Sequence, residues 1–363
     1  MNKRNLIKVA LLFVSLAGYS ADYSKADLGF IEDEFFSFYT PELLEMAENG
    51  DGQAQFKISQ CYKYGWGVFQ DKNNSEKWFQ QSLDAKYPPS LYRVASEYLS
   101  KEENYEKAIK LLEEAHRQNY RKATLALSNL LWESPCDPVG SKKKGKYIDN
   151  ARANDLLVQA AAAGEATAQF QLGNRIVNKN KLEELAALTP TSADAGKQWL
   201  EKAAHQLEVN AAWEMIGCYD IPWVGTPKNP EKVESWKLVY FESVRRLATF
   251  SEQDTSFWDR KLALLYLDGY GTKKDPSRAF MHMYHAVLKK DFKAMYSLGY
   301  FFEKGIGIPS NKEEAIRLYR ESLKDPDARQ SLSKELEKED GIFKDSKLAK
   351  EVLMEDKPSS PQK

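Results

Sequence analysis

Cysteine and histidine are scarce in this chain, with three and four copies in 363 residues. So few cysteines exclude a disulfide-dense scaffold, and an odd number cannot all pair with one another. An excess of one charge is also missing: 52 Lys and Arg face 53 Asp and Glu, for a formal net charge of −1. That balance argues against a dedicated nucleic-acid binder, which carries a strong basic excess. Neither the zinc helix H-E-x-x-H nor the nucleophile elbow G-x-S-x-G occurs. What is present is ordinary for a chain that buries a large core: 42% hydrophobic and 12% aromatic residues.

The N-terminus reads as an address label over residues 1–20. Lys3, Arg4 and Lys8 precede an uncharged stretch from Val9 to Ala21 that is closed by Asp22. A bilayer-spanning helix needs about 20 residues, more than this stretch offers. A basic start, a short apolar run and small residues beyond it describe a secretory signal peptide. Gly18 and Ser20 suit cleavage before Ala21, and cleavage after Ala17 is the alternative. Removal takes away three cations and moves the net charge from −1 to −4.

From residue 40 onwards the chain repeats itself. A small residue is followed at +4 by an aliphatic, at +5 by another small residue, and at +8 by an aromatic. Ala294, Leu298, Gly299 and Phe302 show this frame, followed by Gly305-x-Gly307. Ala54, Ile58, Ser59, Tyr62, Gly65 and Gly67 repeat it, as do Trp258, Leu262, Ala263, Tyr266, Gly269 and Gly271. Weaker copies open at Ser90, Ala123, Ala168 and Ala212. Offsets 0, +4 and +8 share one helical face. Each copy then carries a second helix, marked by a small residue, a bulky one at +3 and usually a small one at +7. Ala108, Leu111, Ala115 and Gly196, Trp199, Ala203 are examples. Asn229-Pro230 and Asp275-Pro276 signal helix starts, a cap followed by proline in the first turn.

The pattern A-x-x-x-[LI]-[GSA]-x-x-Y-x-x-G-x-G, followed by a second helix with A-x-x-W-x-x-x-A, resembles the Sel-one-like repeat, a relative of the tetratricopeptide repeat. The resemblance covers about residues 40–327 and implies an all-α fold, an α/α solenoid of about seven helix-turn-helix repeats. Residues 21–39 form an N-terminal segment. A capping helix is expected over 328–354 and a disordered tail over 355–363.

Three copies are longer than the rest, the fifth by a lengthened exit between Tyr240 and Trp258. Inserted segments near 132–150 and 177–193 lengthen the third and fourth copies, and in a solenoid they fall along one edge. Such insertions form binding faces in many repeat proteins, and equally they drift as solvated loops. The first holds Trp132, Cys136 and the basic run Lys142-Lys143-Lys144-Gly145-Lys146-Tyr147. Candidate partner contacts are Trp132, Lys143, Lys144, Tyr147, Lys179, Trp66 and Trp223, chosen as aromatics and cations on turns and inserted loops.

Other motifs point elsewhere and are weak. Gly140 to Lys146 reads G-x-x-x-x-G-K, but Tyr147 stands where a phosphate-binding loop needs Ser or Thr. His282 and His285 share a helical face, yet no Cys or carboxylate completes a metal set at helical spacing, so His282 is expected to pack in the core slot. The Gly-x-Gly turns follow helices rather than strands, and their middle residues Trp66, Tyr270 and Ile306 are expected to pack onto the next hairpin. Cys61 and Cys218 lie four hairpins apart, so no intramolecular disulfide is expected.

No catalytic residue, cofactor or metal site is assigned, and the chain is read as a non-enzymatic protein-binding scaffold. The leader implies export to the periplasm of a Gram-negative bacterium. No transmembrane helix is expected. Leu16-Ala17-Gly18 looks like a lipobox, but Tyr19 replaces the cysteine that would carry a lipid anchor. Exported relatives serve as adaptors, and some divergent ones are immunity proteins that block phospholipase effectors of type VI secretion. The resemblance therefore implies another protein as partner, narrowed to a lipase or phospholipase toxin. An envelope adaptor is the alternative. A β-lactam-interacting enzyme is the remote one, since the S-x-x-K, S-D-N and K-T-G set and the cystine framework of such relatives are missing.

Overall fold

A computed structural model describes residues 38–101, 104–132, 147–178, 182–221, 227–250, 255–338 and 343–355. The leader, Cys136, Lys143, Lys144, Lys179 and Trp223 lie outside them. Every regular element among the described residues is a helix, and the chain is an all-α repeat solenoid. It separates into two compact units, up to Leu127 and from Ser128 onwards.

The first unit opens with α1 (Pro41–Glu48), then the hairpins α2 (Gly52–Tyr64) with α3 (Lys72–Asp84) and α4 (Pro88–Ser100) with α5 (Tyr105–Arg117). Helix α6 (Arg121–Leu131) begins in this unit and ends in the second. Ala47, Ala54, Ile58 and Trp78 form the core beneath α1 and α2, with Tyr39 and Leu43 against it. Ser82 Oγ lies 2.7 Å from both the Gly52 carbonyl and Ser90 Oγ, which ties two hairpins through small polar residues.

The second unit continues with α7 (Asn150–Ala162), α8 (Ala166–Val177), the short α9 (Leu182–Leu185), α10 (Ala193–His205), α11 (Val209–Asp220) and α12 (Pro230–Phe250). Two regular hairpins follow, α13 (Ser256–Asp268) with α14 (Pro276–Leu288) and α15 (Phe292–Lys304) with α16 (Lys312–Ser322). Where one capping helix was expected there are two, α17 (Pro326–Glu337) and α18 (Lys347–Glu355). Phe343 ends the break between them by inserting edge-on against Tyr296 and Tyr300, at 5.3 and 5.1 Å between ring centres. Glu303 then accepts hydrogen bonds from Tyr319 Oη at 2.9 Å and from Ser346 Oγ, which docks the start of α18.

Local chemistry explains where the helices begin and turn. Asp51, Asp71, Asn104, Asp149, Ser192, Asp275, Asp291 and Asn311 each accept a backbone N–H of the first turn. Six of the described connections between hairpins pass through a left-handed residue, at Gly50, Lys86, Asn119, Gly164, Leu207 and Lys290. Four of those six are not glycine, so this turn is imposed by the packing of the helices it joins.

Three sequence expectations change. The second helix buries bulky residues at +4 as well as at +3: Leu112, Leu157, Leu200, Met283 and Tyr319 at +4 are essentially inaccessible, and Trp78, Leu156, Trp236 and Leu318 at +3 are buried too. Leu111, Trp199 and His282, also at +3, are only half-buried. At 100° per residue, +4 lies 40° from the small residue that touches the neighbour, and +3 lies 60° to its other side. Secondly, the Gly-x-Gly turns pack backwards. A Cβ on Gly271 would overlap the Lys237 carbonyl of α12, and one on Gly307 would overlap the Pro276 carbonyl of α14. Each turn thus presses on the second helix of the hairpin before it, not the one after. Thirdly, the long exit of the fifth copy is helix: Val244 and Ala248 extend the buried stripe of α12 beyond Tyr240.

Candidate functional site

The described ends of the two inserted segments lie beside each other. The Asp149 N–H donates to the Leu131 carbonyl at 2.9 Å, which closes the neck of the first insertion. Asn150 and Ala151 beyond that neck line a shallow groove with Ala187 and Leu188 of the second insertion. Trp132, at the neck, lies 3.8 Å beneath the Arg175 guanidinium of α8. Arg175 Nη1 also donates to Asn154 Oδ1 at 3.0 Å. Trp132 therefore joins the bases of both insertions, and Tyr147 flanks the same neck, half-buried. Trp66, in the first unit, stacks on Tyr64 at 4.8 Å, and its carbonyl accepts the Tyr39 N–H at 3.0 Å. Three residues on, Phe69 is 97% exposed.

One aromatic group among the described residues, built around an exposed tryptophan, was not among the sequence candidates. Trp213 of α11 is 52% exposed and lies 5.3 Å from Tyr240 of α12 and 6.4 Å from Tyr270. Tyr240 and Tyr270 meet edge-on at 6.1 Å. Lys237 stands 5.1 Å over the Tyr270 ring and Lys261 stands 5.9 Å over Tyr240. Gly271 makes the cluster possible, because only a residue without Cβ lets the turn lie on the α12 backbone and bring Tyr270 over it. The register gave the place of Trp213, but its exposure shows only against the packed sister positions. Trp213 follows the small residue that opens its repeat, a position where Gln55, Leu91, Thr124, Gln169, Asp259 and Met295 are all buried. An indole in that slot has no room and is turned outwards.

Burial and neighbouring charges set the protonation of this face. Burial, followed by the neighbouring Tyr270, pushes the Tyr240 phenol up to about 12. Burial also raises Tyr270. Both stay neutral donors at any physiological pH. The hydrogen bond from Lys237 to Glu234, 2.7 Å long, holds that ammonium above its ordinary value. Burial and then Arg260 lower Lys261, which makes it the less costly of the two cations to desolvate against an acidic partner. The described cysteines are poor nucleophiles: burial pushes Cys61 up to about 12 and Cys218 up to about 11, and the two are not bonded to each other.

A second polar group lies in the sixth hairpin. His282 Nδ1 faces Asp259 Oδ1 at 3.3 Å, and His285 stands one turn along α14. The carboxylate missing at helical spacing is supplied by α13, across the hairpin. His282 is half-buried and stacks flat on Tyr266 at 5.6 Å.

Comparison with known proteins bears on the family and the fold. Residues 52–87, 88–120, 166–206, 260–288 and 292–325 match the family model for the Sel1 repeat. A curated relative, chitin synthase regulatory factor 4 of Schizosaccharomyces pombe, is 25% identical over 276 residues, 73% of this chain. The chain spans 40% of that relative's length. Among solved structures, a Sel1 repeat protein from Oxalobacter formigenes is 20% identical, with 80% of this chain and 78% of that chain covered and a TM-score of 0.46. A protective antigen of uropathogenic Escherichia coli is 19% identical, with 88% and 75% covered and a TM-score of 0.37. An immunity protein of Pseudomonas aeruginosa is 15% identical, with 55% and 72% covered and a TM-score of 0.36.

Proposed function

Because the chain belongs to the Sel1-repeat family, we propose that it is a non-catalytic docking scaffold whose partner sits on the Trp213–Tyr240–Tyr270 face. The observation that carries this reading is Trp213 itself, half-exposed on two tyrosines with Lys237 and Lys261 beside it. Large aromatics ringed by cations are the side chains on which binding energy concentrates, since they bury much area for little lost rotamer freedom. The leader supports action outside the cytoplasm, in the periplasm. The narrowest reading is immunity: the partner is a lipase or phospholipase toxin with an acidic surface, and binding blocks its active site. The degenerate middle repeats and paired insertions support a surface adapted to one partner. A resident envelope protein is the alternative.

The test first asks whether a lipase or phospholipase gene neighbours this one, then combines the full chain with that enzyme and reads both complex formation and enzyme activity. The expected result is a stable complex with inhibited lipid hydrolysis. Trp213→Ala should weaken it about 10- to 100-fold while leaving the circular dichroism unchanged. Binding without inhibition would favour the adaptor, and full binding by Trp213→Ala would remove this face from the interface. Deleting 133–146 across the closed neck tests Lys143 and Lys144 separately. Cell fractionation checks the periplasm, where the processed chain should begin at Ala21.

A further inference from the structure

One hairpin departs from the repeat in both helices at once. At the position after the opening residue of the first helix, other copies place Gln, Leu, Thr, Trp or Met, and the sixth places Asp259. In the +3 slot of the second helix, the other copies place Trp or Leu, as at Trp78, Leu156 and Leu318, and the sixth places His282. These two exceptions touch each other, and His285 joins them from the next turn of α14. One ligand atom from each of Asp259, His282 and His285 lies within 4.8 Å of the other two. We propose that Asp259, His282 and His285 bind a divalent transition-metal ion of the zinc class.

The chemistry of the donor set fits. Two imidazoles and one carboxylate are borderline donors that suit zinc, nickel or cobalt better than magnesium or calcium. An ion with bonds of about 2.0–2.1 Å places tetrahedral ligands about 3.3 Å apart. The 3.3 Å between His282 Nδ1 and Asp259 Oδ1 already has that length. Tyr266, stacked on His282 within 5° of parallel, holds that ring in plane, and rotation of the half-buried His285 closes the remaining gap. The carboxylate is 3% exposed, so it needs a cation in any state. Lys289 Nζ supplies one at 2.6 Å from Asp259 Oδ2 and also reaches Thr255 Oγ1. Its side chain is 40% exposed, against 5% for Asp259, so Lys289 can swing into solvent when an ion arrives. Lys289 is therefore a built-in competitor: the buried charge is matched by the ammonium without metal and by the ion with it. Three protein ligands leave the fourth position to water or to a donor from a partner.

Calorimetric titration of the full chain with zinc chloride tests this without any partner protein. One ion per chain is expected, with a raised melting temperature, and no response to magnesium. His285→Gln, which leaves the Asp259–Lys289 pair in place, should weaken zinc binding by more than about tenfold. Lys289→Met should tighten it, an outcome that a purely structural ion pair does not produce. Cobalt(II) should give visible absorption that is lost in His282→Gln. Absence of stoichiometric zinc uptake, or equal binding by His285→Gln and the parent chain, would overturn the proposal. Asp259→Asn is less informative, because it removes a buried partner of Lys289 and destabilises the hairpin whatever the metal does.

Discussion

The regular hairpins α13–α14 and α15–α16 use glycine in their turns, besides Gly299 inside α15, whereas α8 and α10, which bracket an insertion, use it inside their helices. In the regular copies Gly271 and Gly307 have φ of +68° and +71°, and neither leaves space for a Cβ against the backbone of the preceding second helix. In the inserted copy the approach is between helices. A Cβ on Gly173 would lie 2.8 Å from the Gly196 carbonyl and 2.9 Å from the Leu200 N, and one on Gly196 would lie 2.9 Å from the methyls of Ile176 and Val177. The same residue thus solves two problems: with a short turn the turn itself becomes a packing surface, and with a long insertion the helices must close the gap alone. A solenoid tolerates the insertion because backbone contact moves from one place to the other.

Gly307→Ala should produce the largest effect, a loss of about 4 kcal/mol in guanidinium unfolding, because left-handed strain adds to overlap with backbone that cannot move aside. Gly164 has a similar φ of +88° but nothing within 4 Å of a Cβ. Its Ala variant should cost only about 1 kcal/mol. Equal losses at the two sites would break the claim that the turn is a packing surface.

Next comes Gly173→Ala, which should destabilise by about 2 kcal/mol even though alanine is the better helix former by about 1 kcal/mol. Gly196→Ala faces the ends of side chains rather than backbone and should cost less, as thermal melts of the two variants would show. A smaller effect of opposite sign is expected at Lys290, exposed with φ +64° between the regular hairpins. Lys290→Gly should stabilise by about 0.5–1 kcal/mol, and a loss would mean that this turn is held by the lysine itself.

The smallest expected effect is at Glu214, beside Trp213 on α11. Burial alone raises its carboxyl above the ordinary 4.5. The folded chain then holds that proton more tightly than the unfolded chain does. Its stability contribution is greatest at low pH and falls as pH rises from the ordinary carboxylate range through the raised value. Glu214→Gln should therefore lift the melting temperature slightly at pH 7 and leave it unchanged near pH 4. A flat difference across that range would show that Glu214 is solvated.

The register of the hairpins was legible because helical period, small residues and capping side chains are all local. Ala54 and Ile58 are core, and Asp275-Pro276 starts α14, as the pattern says. The candidate surface was legible only in part. Trp132 belongs to the inserted edge, as read, but it serves as the platform for Arg175. Trp213 escaped notice because its exposure follows from what six sister positions bury, a comparison that needs the packed neighbours. Asp259 escaped the metal reading because helical spacing was searched along one helix, and its partners stand on another.

By itself the sequence determined that the chain forms helical hairpins, where they begin, and which turns need glycine, since each depends on residues within a few positions of one another. Only the tertiary structure decided that the +4 side chain shares the slot with the +3 one, that the turns press on the hairpin behind them, that Trp213 faces outwards, and that Asp259 meets His282. The physical reason is common to all four. A helical pattern assigns each side chain a direction around its own axis, but the distance and chemistry of what it meets are set by the next helix.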